Sequence, residues 1–450
     1  SPDRESDWNS NIRMLAGIRC DMREPLIHIQ SASHDAAHEA SSATEPSAAM
    51  RERLARRIDV EGLADALRKN IEGEVRFDEG SRALYATDAS NYRQVPIGVV
   101  IPRHADDVLG TIATARTYDA PILARGGGTS LAGQCCNYAV VLDCSKYMHR
   151  LVDIDVEARS ARVQPGLVLD DLRHAAEQHH LTFGPDPSTH NHCTLGGMIG
   201  NNSCGVHSVM AGETSENVIE MQVATYDGLR LRVGRTSDRQ LDEIIAHGGR
   251  QADIYRRLLA LRDRYADLIR SRFPNIPRRV SGYNLPALLP EHGFDVAKAL
   301  VGSESTCVTV LEATVRLVPS PRVRSLLVLG YPDVYAAGDH IPDILRAKPI
   351  GLEGMDDRLV EDMIKMKIHP DDVTLLPEGR GWLLAEFGGE SKDEADGQAH
   401  RCMELLKAAG HPPSMKLFDR RRDEQVIWTV RESGLGATAH VPGEQVTWEG

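Results

Sequence analysis

From Pro185 to Gly205 the chain reads Pro-Asp-Pro-Ser-Thr-His-Asn-His-Cys-Thr-Leu-Gly-Gly-Met-Ile-Gly-Asn-Asn-Ser-Cys-Gly. No apolar period holds across this stretch, so it is read as neither a core helix nor a core strand. Gly196, Gly197, Gly200 and Gly205 fall close together. Glycine is unfavourable inside regular structure and useful where backbone must approach another group closely. Ser188, Thr189, Thr194, Asn201, Asn202 and Ser203 surround the glycines with small hydrogen-bonding groups. A segment this long, this polar and this poor in charge suits wrapping around a large polar ligand. A plain surface loop is the competing reading.

A second stretch decides between them. Arg125-Gly126-Gly127-Gly128-Thr129-Ser130-Leu131-Ala132-Gly133 follows the short apolar run Pro121-Ile122-Leu123-Ala124. Successive glycines at a strand end present backbone N–H groups to one point, a concavity that binds phosphate oxygens. Thr129 and Ser130 add hydroxyls and Arg125 adds charge. The pattern is neither GxGxxG nor GxxxxGK[ST], so neither of those phosphate-binding mechanisms applies.

These two stretches, with Gly302-Ser303-Glu304 and Val310-Leu311-Glu312-Ala313-Thr314 after them, resemble a known family. It is the FAD-binding domain of the vanillyl-alcohol oxidase / p-cresol methylhydroxylase (PCMH) superfamily. More narrowly, they are similar to its D-2-hydroxy-acid dehydrogenase branch, which acts on D-lactate, D-2-hydroxyglutarate or glycolate. The resemblance spans residues 52 to 450. It implies an α+β fold: a two-subdomain PCMH-type FAD-binding domain over 50–320, then a ferredoxin-like substrate (cap) domain over 321–450, incomplete at its C-terminal end. It implies FAD on Arg125, Gly126, Gly127, Gly128, Thr129, Ser130 and Gly133, with the pyrophosphate on the glycine triplet. Pro185, Asp186, Thr189, Thr194, Gly196, Gly197, Asn201, Ser203 and Gly205 would follow the ribityl chain and the flavin ring. Many members link flavin covalently to a histidine in the first loop. Thr129 and Ser130 occupy that neighbourhood here, so non-covalent FAD is expected.

Net charge is −13, from 65 acidic against 52 basic side chains, which argues against nucleic acid as the main partner. No apolar run reaches the length of a membrane span, and no signal-peptide pattern opens the chain. The eight cysteines include no CxxC pair, as expected of a reduced protein rather than a disulfide framework. A cytoplasmic location is expected, with peripheral association to the inner membrane left open. Residues 1–49 differ in composition: Ser31 to Ala49 is almost entirely Ser, Ala, His, Glu and Thr and is expected to be disordered. Met50 is expected to be the true start.

Between the motifs the pattern is that of alternating elements. Pro96 to Pro102 is a buried strand bounded by prolines. His104 to Tyr118 carries Val108, Ile112 and Ala115 at helical spacing, with Asp106 and Asp107 in the first turn. Ala139 to Leu142 is a strand, and Leu151–Val156 with Ala161–Gln164 a hairpin. Val168 to His180 is an amphipathic helix through Leu169, Leu172 and Ala176. Val218–Tyr226 and Leu229–Val233 flank Asp227-Gly228 as a hairpin. Leu258 to Phe273 is a helix, and Leu311 to Val318 a closing strand. Arg278 and Arg279 are read as a solvated pair, with the flavin cleft as the alternative.

Beyond Pro319-Ser-Pro321 the composition shifts. Leu326–Gly330, Gly351–Asp356 and Leu383–Phe387 read as strands. Tyr335–Leu345 and Glu394–Ala409 read as helices, the latter capped by Gly410. Trp428-Thr-Val-Arg431-Glu432 is similar to the family's W-x-x-R-E segment, which implies that Arg431 grips the substrate carboxylate. His190, His192 and Cys193 invite a metal, but no second ligand cluster with zinc spacing follows, so no metal is assigned. In the family, the catalytic base, a divalent-metal site and, in fused members, iron–sulfur cysteines lie beyond the position matching Gly450. The chain is therefore expected to be an N-terminal part of a longer enzyme, inactive alone. The chemistry implied is oxidation of a D-2-hydroxy acid by hydride transfer to flavin N5. Electrons would pass to an iron–sulfur centre, a quinone or an electron-transfer protein. An oxygen-using oxidase and a non-catalytic FAD-binding subunit are the alternatives.

Overall fold

The computed structural model describes residues 58–418 and 420–438, together with 441 and 443. The expectations for residues 1–49, for Met50 and for the final residues lie outside the described residues. The described residues from Asp59 onward belong to one compact unit.

The first sheet holds β1 (Glu74–Arg76), β2 (Gly98–Ile101), β3 (Ile122–Arg125) and β4 (Val140–Asp143), in the order β1-β2-β4-β3. β2 and β3 both run parallel to β4, while β1 is antiparallel to β2. β2 and β4 are buried throughout, which is why both read as continuous apolar runs rather than as alternation. Two helices, α1 (Val60–Asn70) and α2 (Ala105–Thr117), pack on one another beside this sheet. Val108, Ile112 and Ala115 bury the inner face of α2, as their spacing predicts. Asp107 does more than complement the helix N-terminus. It is buried, and its carboxylate accepts the backbone N–H groups of Glu72 and Arg103, each at 2.8 Å.

A second sheet is wholly antiparallel: β5 (Leu151–Asp155), β6 (Ser160–Val163), β10 (Thr309–Arg316), β8 (Val218–Ala224) and β9 (Arg230–Gly234), in that spatial order. Both expected hairpins are present, and Gly228 takes φ +86° in the Asp-Gly turn. The largest apolar core lies against this sheet, filled by Leu169, Leu172 and Ala176 of α3 (Leu169–Glu177) and by Tyr255 of α5 (Gly249–Arg272). The deciding stretch contributes as well. Residues 195–201 form a short helix, α4 (Leu195–Asn201), whose Leu195, Met198 and Ile199 are buried in the same core. This corrects the expectation that no core element lies there. The apolar set spans little more than one turn and is interrupted by three glycines, too short to register as a period. A two-residue strand, β7 (Leu181–Thr182), pairs with β11 (Val318–Pro319) as the chain leaves this region.

The third sheet is antiparallel, in the order β13 (Gly351–Asp356), β14 (Gly381–Gly389), β12 (Val323–Tyr331), β15 (Ser414–Phe418). Helices cover both faces. Leu326, Val328 and Leu384 pack with α6 (Asp357–Met366) and α8 (Arg421–Thr438) through Met363, Ile427 and Val430. Leu327, Leu329 and Ala385 pack on the other side with α7 (Lys392–Ala408) through Ala399, Cys402 and Leu406. The single helix expected over Tyr335–Leu345 is two, Val334–Asp339 and Ile341–Leu345. Pro342 has no N–H to continue the first and sits instead in the opening turn of the second.

Candidate functional site

The glycine loop leaves the carboxyl end of β3, beside the parallel part of the first sheet, where open α/β sheets bind ligands. It crosses the deciding stretch in direct contact. A Cβ on Gly126 would collide with the Thr194 hydroxyl, and one on Gly127 with the His192 carbonyl. Gly128 takes φ +69°, a conformation open to glycine at no steric cost. Thr194 caps α4, its Oγ1 3.4 Å from the Gly197 nitrogen.

Under this crossing lies a cavity of about 260 Å³. Gly126, Gly127, Gly128, Thr129 and Ser130 line it from one side; Thr189, Thr194, Gly197, Asn201 and Ser203 line it from the other. Asn201 Nδ2 donates to Ser203 Oγ at 3.0 Å. A narrower slot opens behind it, shared through Gly126, Ser130, Thr194, Gly197 and Asn201. Arg125, Gly196 and Gly200 line this slot, with an apolar wall of Leu123, Ile199, Met221, Leu300, Val308 and Val310. A Cβ on Gly200 would meet no atom within 4 Å. One cavity of hydroxyls, amides and bare backbone joined to one apolar slot fits a dinucleotide such as FAD, with polar phosphates and sugars and flat apolar rings.

Other candidates have different duties. The Arg125 guanidinium donates to the backbone carbonyls of Tyr85 (3.2 Å), Thr87 (2.7 Å) and Cys135 (3.2 Å) and lies over the Tyr85 ring. It ties loops together rather than directing charge at a phosphate. Gly133, at φ +80°, packs on Tyr92, Gly205 packs on the Asp186 backbone, and Gly196 on Pro165. Pro185 is buried beside the stretch. The Asp186 carboxylate is aimed at His207 and Arg173, away from the glycine loop.

A further cavity of about 480 Å³ adjoins the first through Pro187 and Ser188. Arg173, Arg278, Arg324 and Arg431 line it, with His190, His207, Glu353, Glu386 and Glu432. Arg278 faces this cavity, its Nη2 3.1 Å from the Gly205 carbonyl, whereas Arg279 bonds Asn284 and stacks on Phe273. Arg431 Nη2 pairs with Glu353 at 3.2 Å, while its Nε is buried without a partner. His207 Nδ1 lies 2.5 Å from Asp186 Oδ2, and its Nε2 2.8 Å from Glu386 Oε2. Burial alone would lower the imidazole, but the Asp186 charge and the two hydrogen bonds outweigh it and raise His207 to about 9. Burial would likewise raise both carboxyls; His207, with Arg324 beside Glu386, holds each below the ordinary carboxylate range. His190 sits between Asp170 (2.7 Å) and Glu432 (3.4 Å), whose hydrogen bonds raise it despite burial. Among the described residues no group of His, Cys, Asp and Glu could hold a metal ion. His207, Glu386 and Arg324 were not singled out in the sequence, and Glu353 entered only within the strand Gly351–Asp356, without a role at the site. His207 carried one usable signal, its place two residues after Gly205 at the end of the deciding stretch.

The fold and the cofactor cavity define a flavin-binding oxidoreductase framework, and comparison with known proteins agrees. Residues 96–234 match the FAD binding domain, and residues 320–448 match the C-terminal domain of FAD linked oxidases. The glycolate oxidase subunit GlcD of Bacillus subtilis is 30% identical over 384 residues, covering 82% of this chain and 68% of that protein. The D-2-hydroxyglutarate dehydrogenase of Pseudomonas putida is 30% identical over 404 residues, covering 84% of this chain and 39% of that protein. The chain thus spans about two-fifths of the length of the D-2-hydroxyglutarate dehydrogenases it matches. Among solved structures, an alkyldihydroxyacetonephosphate synthase shares the fold, with a TM-score of 0.58 and 15% identity over 84% of this chain and 68% of that one. The chain belongs to the PCMH-type FAD-linked oxidase family, and its cofactor is FAD. No helix among the described residues is long and apolar enough to cross a membrane.

Proposed function

We propose that the chain is the flavin-binding part of an FAD-dependent dehydrogenase that oxidises a D-2-hydroxy acid to the 2-oxo acid. The observation that carries this reading is Arg431. Its side chain lines a cavity that adjoins the glycine-loop cavity, and its Nε is buried without a partner. An orphaned buried guanidinium donor is costly unless something accepts from it, and a substrate carboxylate does so with the planar match that lysine lacks. The names of the relatives, D-2-hydroxyglutarate dehydrogenase and glycolate oxidase subunit, support the substrate class.

FAD, when bound, supplies the acceptor for the α-hydrogen as hydride. It is held non-covalently by Gly126, Gly127, Gly128, Thr129, Ser130, Thr189, Thr194, Gly197, Asn201 and Ser203. Arg431 orients the acid, and Glu353 fixes Arg431 from the third sheet. Residues 50–320 are assigned to the FAD-binding domain and 321–450 to the substrate domain, a division supported by the chain's passage between sheets from Arg316 to Val323. The electron acceptor is an iron–sulfur centre, a quinone or an electron-transfer protein. The word subunit in the GlcD relatives' name favours a second reading, in which the chain serves one component of a larger oxidase complex.

The test uses the native full-length protein with its flavin. Under anaerobic conditions, D-2-hydroxy acids should bleach the flavin and their L-enantiomers should not. Failure of every acid in a panel of lactate, glycolate and 2-hydroxyglutarate to bleach it would remove the dehydrogenase reading. Arg431→Lys should lower kcat/KM roughly tenfold to a hundredfold, the worth of one charge-assisted hydrogen bond, with flavin content unchanged. An unchanged kcat/KM would take Arg431 out of the site.

A further inference from the structure

Two histidines lie between the elements of the first two sheets and those of the third. His207 has Asp186, from the deciding stretch, on one ring nitrogen and Glu386, from β14, on the other, at 2.5 and 2.8 Å. His190 has Asp170 of α3 on one nitrogen and Glu432 of α8 on the other, at 2.7 and 3.4 Å. A carboxylate offers only lone pairs, so a ring nitrogen facing one at hydrogen-bond distance has to carry a proton. With a carboxylate on each nitrogen, both rings carry two protons and a positive charge. Arg324 Nη1 lies 3.2 Å from His207 Nε2 and also 3.2 Å from Glu386 Oε2. The carboxylate oxygen is nearer the ring nitrogen than the guanidinium is, and it sets the proton there. Arg173 closes the arrangement from α3, 3.7 Å from Asp170 and 3.9 Å from Asp186, and Trp428 Nε1 donates to Glu386 at 3.3 Å.

We propose that His190 and His207 are positioning residues: two imidazolium staples, each clamped between a carboxylate of the flavin-binding part and a carboxylate of the third-sheet part, that hold α8 and its Arg431 over the cavity. Each staple needs all three charges. Loss of the proton leaves two carboxylates, both of them buried at His207, facing an imidazole that can donate to only one of them. Glu432 is the residue next to Arg431, so the His190 staple fixes the very turn of α8 that carries the guanidinium. The His207 staple fixes the β14 strand on which Trp428 of the same helix rests.

Hydrogen exchange along α8 in the flavin-loaded protein tests this, followed from about pH 6 to about pH 10 and corrected for intrinsic exchange. Protection of the α8 amides should fall as pH rises through about 9, where His207 gives up its proton. Glu386→Gln preserves shape and removes one charge, so it should bring that fall down by about one to three pH units. His207→Gln should lower protection at neutral pH and remove the part of the fall that lies near pH 9, leaving only what the His190 staple contributes. If that variant does not fold, the unmodified protein and Glu386→Gln still decide. Protection that stays level across the whole range, or a midpoint that Glu386→Gln leaves in place, would overturn the staples. Their effect on substrate rests on the reading of Arg431 given above, and 2-oxoglutarate binding, followed by perturbation of flavin absorbance, reports on it separately. Exchange that behaves as described, with an affinity for 2-oxoglutarate that ignores Glu386→Gln, upholds the staples and removes Arg431 from the acid.

Discussion

Two glycines in the cofactor region are needed for opposite reasons, and substitution separates them. Gly127 touches the His192 carbonyl, so a side chain there forces the two glycine-rich stretches apart. Gly127→Val should therefore lose bound flavin, read as the ratio of flavin to protein absorbance, because the cavity under the crossing is lost. A folded Gly127→Val protein with full flavin would show that the crossing does not shape the cavity. Gly200 lines the apolar slot, and a Cβ there meets nothing within 4 Å. Gly200→Ala should make the flavin-free protein more stable by about 0.5–1 kcal/mol, since α4 gains a better helix former. It should also weaken FAD binding, because the methyl takes room from the slot. A rise in flavin-free thermal midpoint with unchanged FAD affinity would place the ring elsewhere. The glycines themselves were legible in the sequence, where backbone approach to a phosphate explained them. The structure supplies the reason for Gly126 and Gly127: chain crosses chain. The identity of the group on the other side of a glycine is a tertiary fact that no local pattern encodes.

At the scale of elements, legibility followed the strength of the period. β2, β4 and the core of β12 read correctly because their apolar runs are continuous and bounded by turn residues. Helix α2 read correctly because Val108, Ile112 and Ala115 repeat at helical spacing with acids in the first turn. α5 begins nine residues before the expected Leu258, at Gly249, because its first two turns bury only Ala252 and Tyr255 and expose charge elsewhere. One of those two should matter greatly. Tyr255 is nearly fully buried, its ring centroid 6.2 Å from that of Phe294. Tyr255→Ala should destabilise the protein by about 3–5 kcal/mol through the cavity it leaves. Thermal unfolding would show the drop, and a loss below about 1 kcal/mol would mean that the start of α5 is not anchored where the structure puts it. α4 was missed for a related reason. Its three apolar residues sit among glycines that the cofactor cavity requires, so the demands of the site hid the helix.

Across the whole molecule, the charges between the first two sheets and the third make stability depend on pH in a direction that can be worked out. His190 and His207 titrate above the ordinary histidine value in the folded state. A group whose folded pKa is raised stabilises fully below its unfolded value, near 6.5, and that contribution is lost as pH rises through the folded value. For His207 the window therefore runs from about 6.5 to about 9, and the shift corresponds to something on the order of 3 kcal/mol. Asp186 and Glu386 titrate low, so their contribution is present above the usual carboxylate range and is lost as the medium is acidified. Asp295, Glu304 and Glu424, raised mainly by burial, act with the opposite sign in that acid range and partly offset them. The buried thiols of Cys144 and Cys193 are pushed up to about 12, so their effect begins only above the ordinary thiol value. Between about 6.5 and 9 the two histidines are thus left as the main source of any slope. Thermal midpoints of the flavin-loaded protein should be highest from about pH 5 to about pH 6.5 and should fall steadily toward pH 9. His207→Gln should lower the midpoint most at the acid end of that window and flatten the decline. A midpoint that stays level from about pH 6.5 to about pH 9 in the unmodified protein would mean the rings are not doubly protonated in the fold. The parts of the molecule would then be joined there by neutral hydrogen bonds instead.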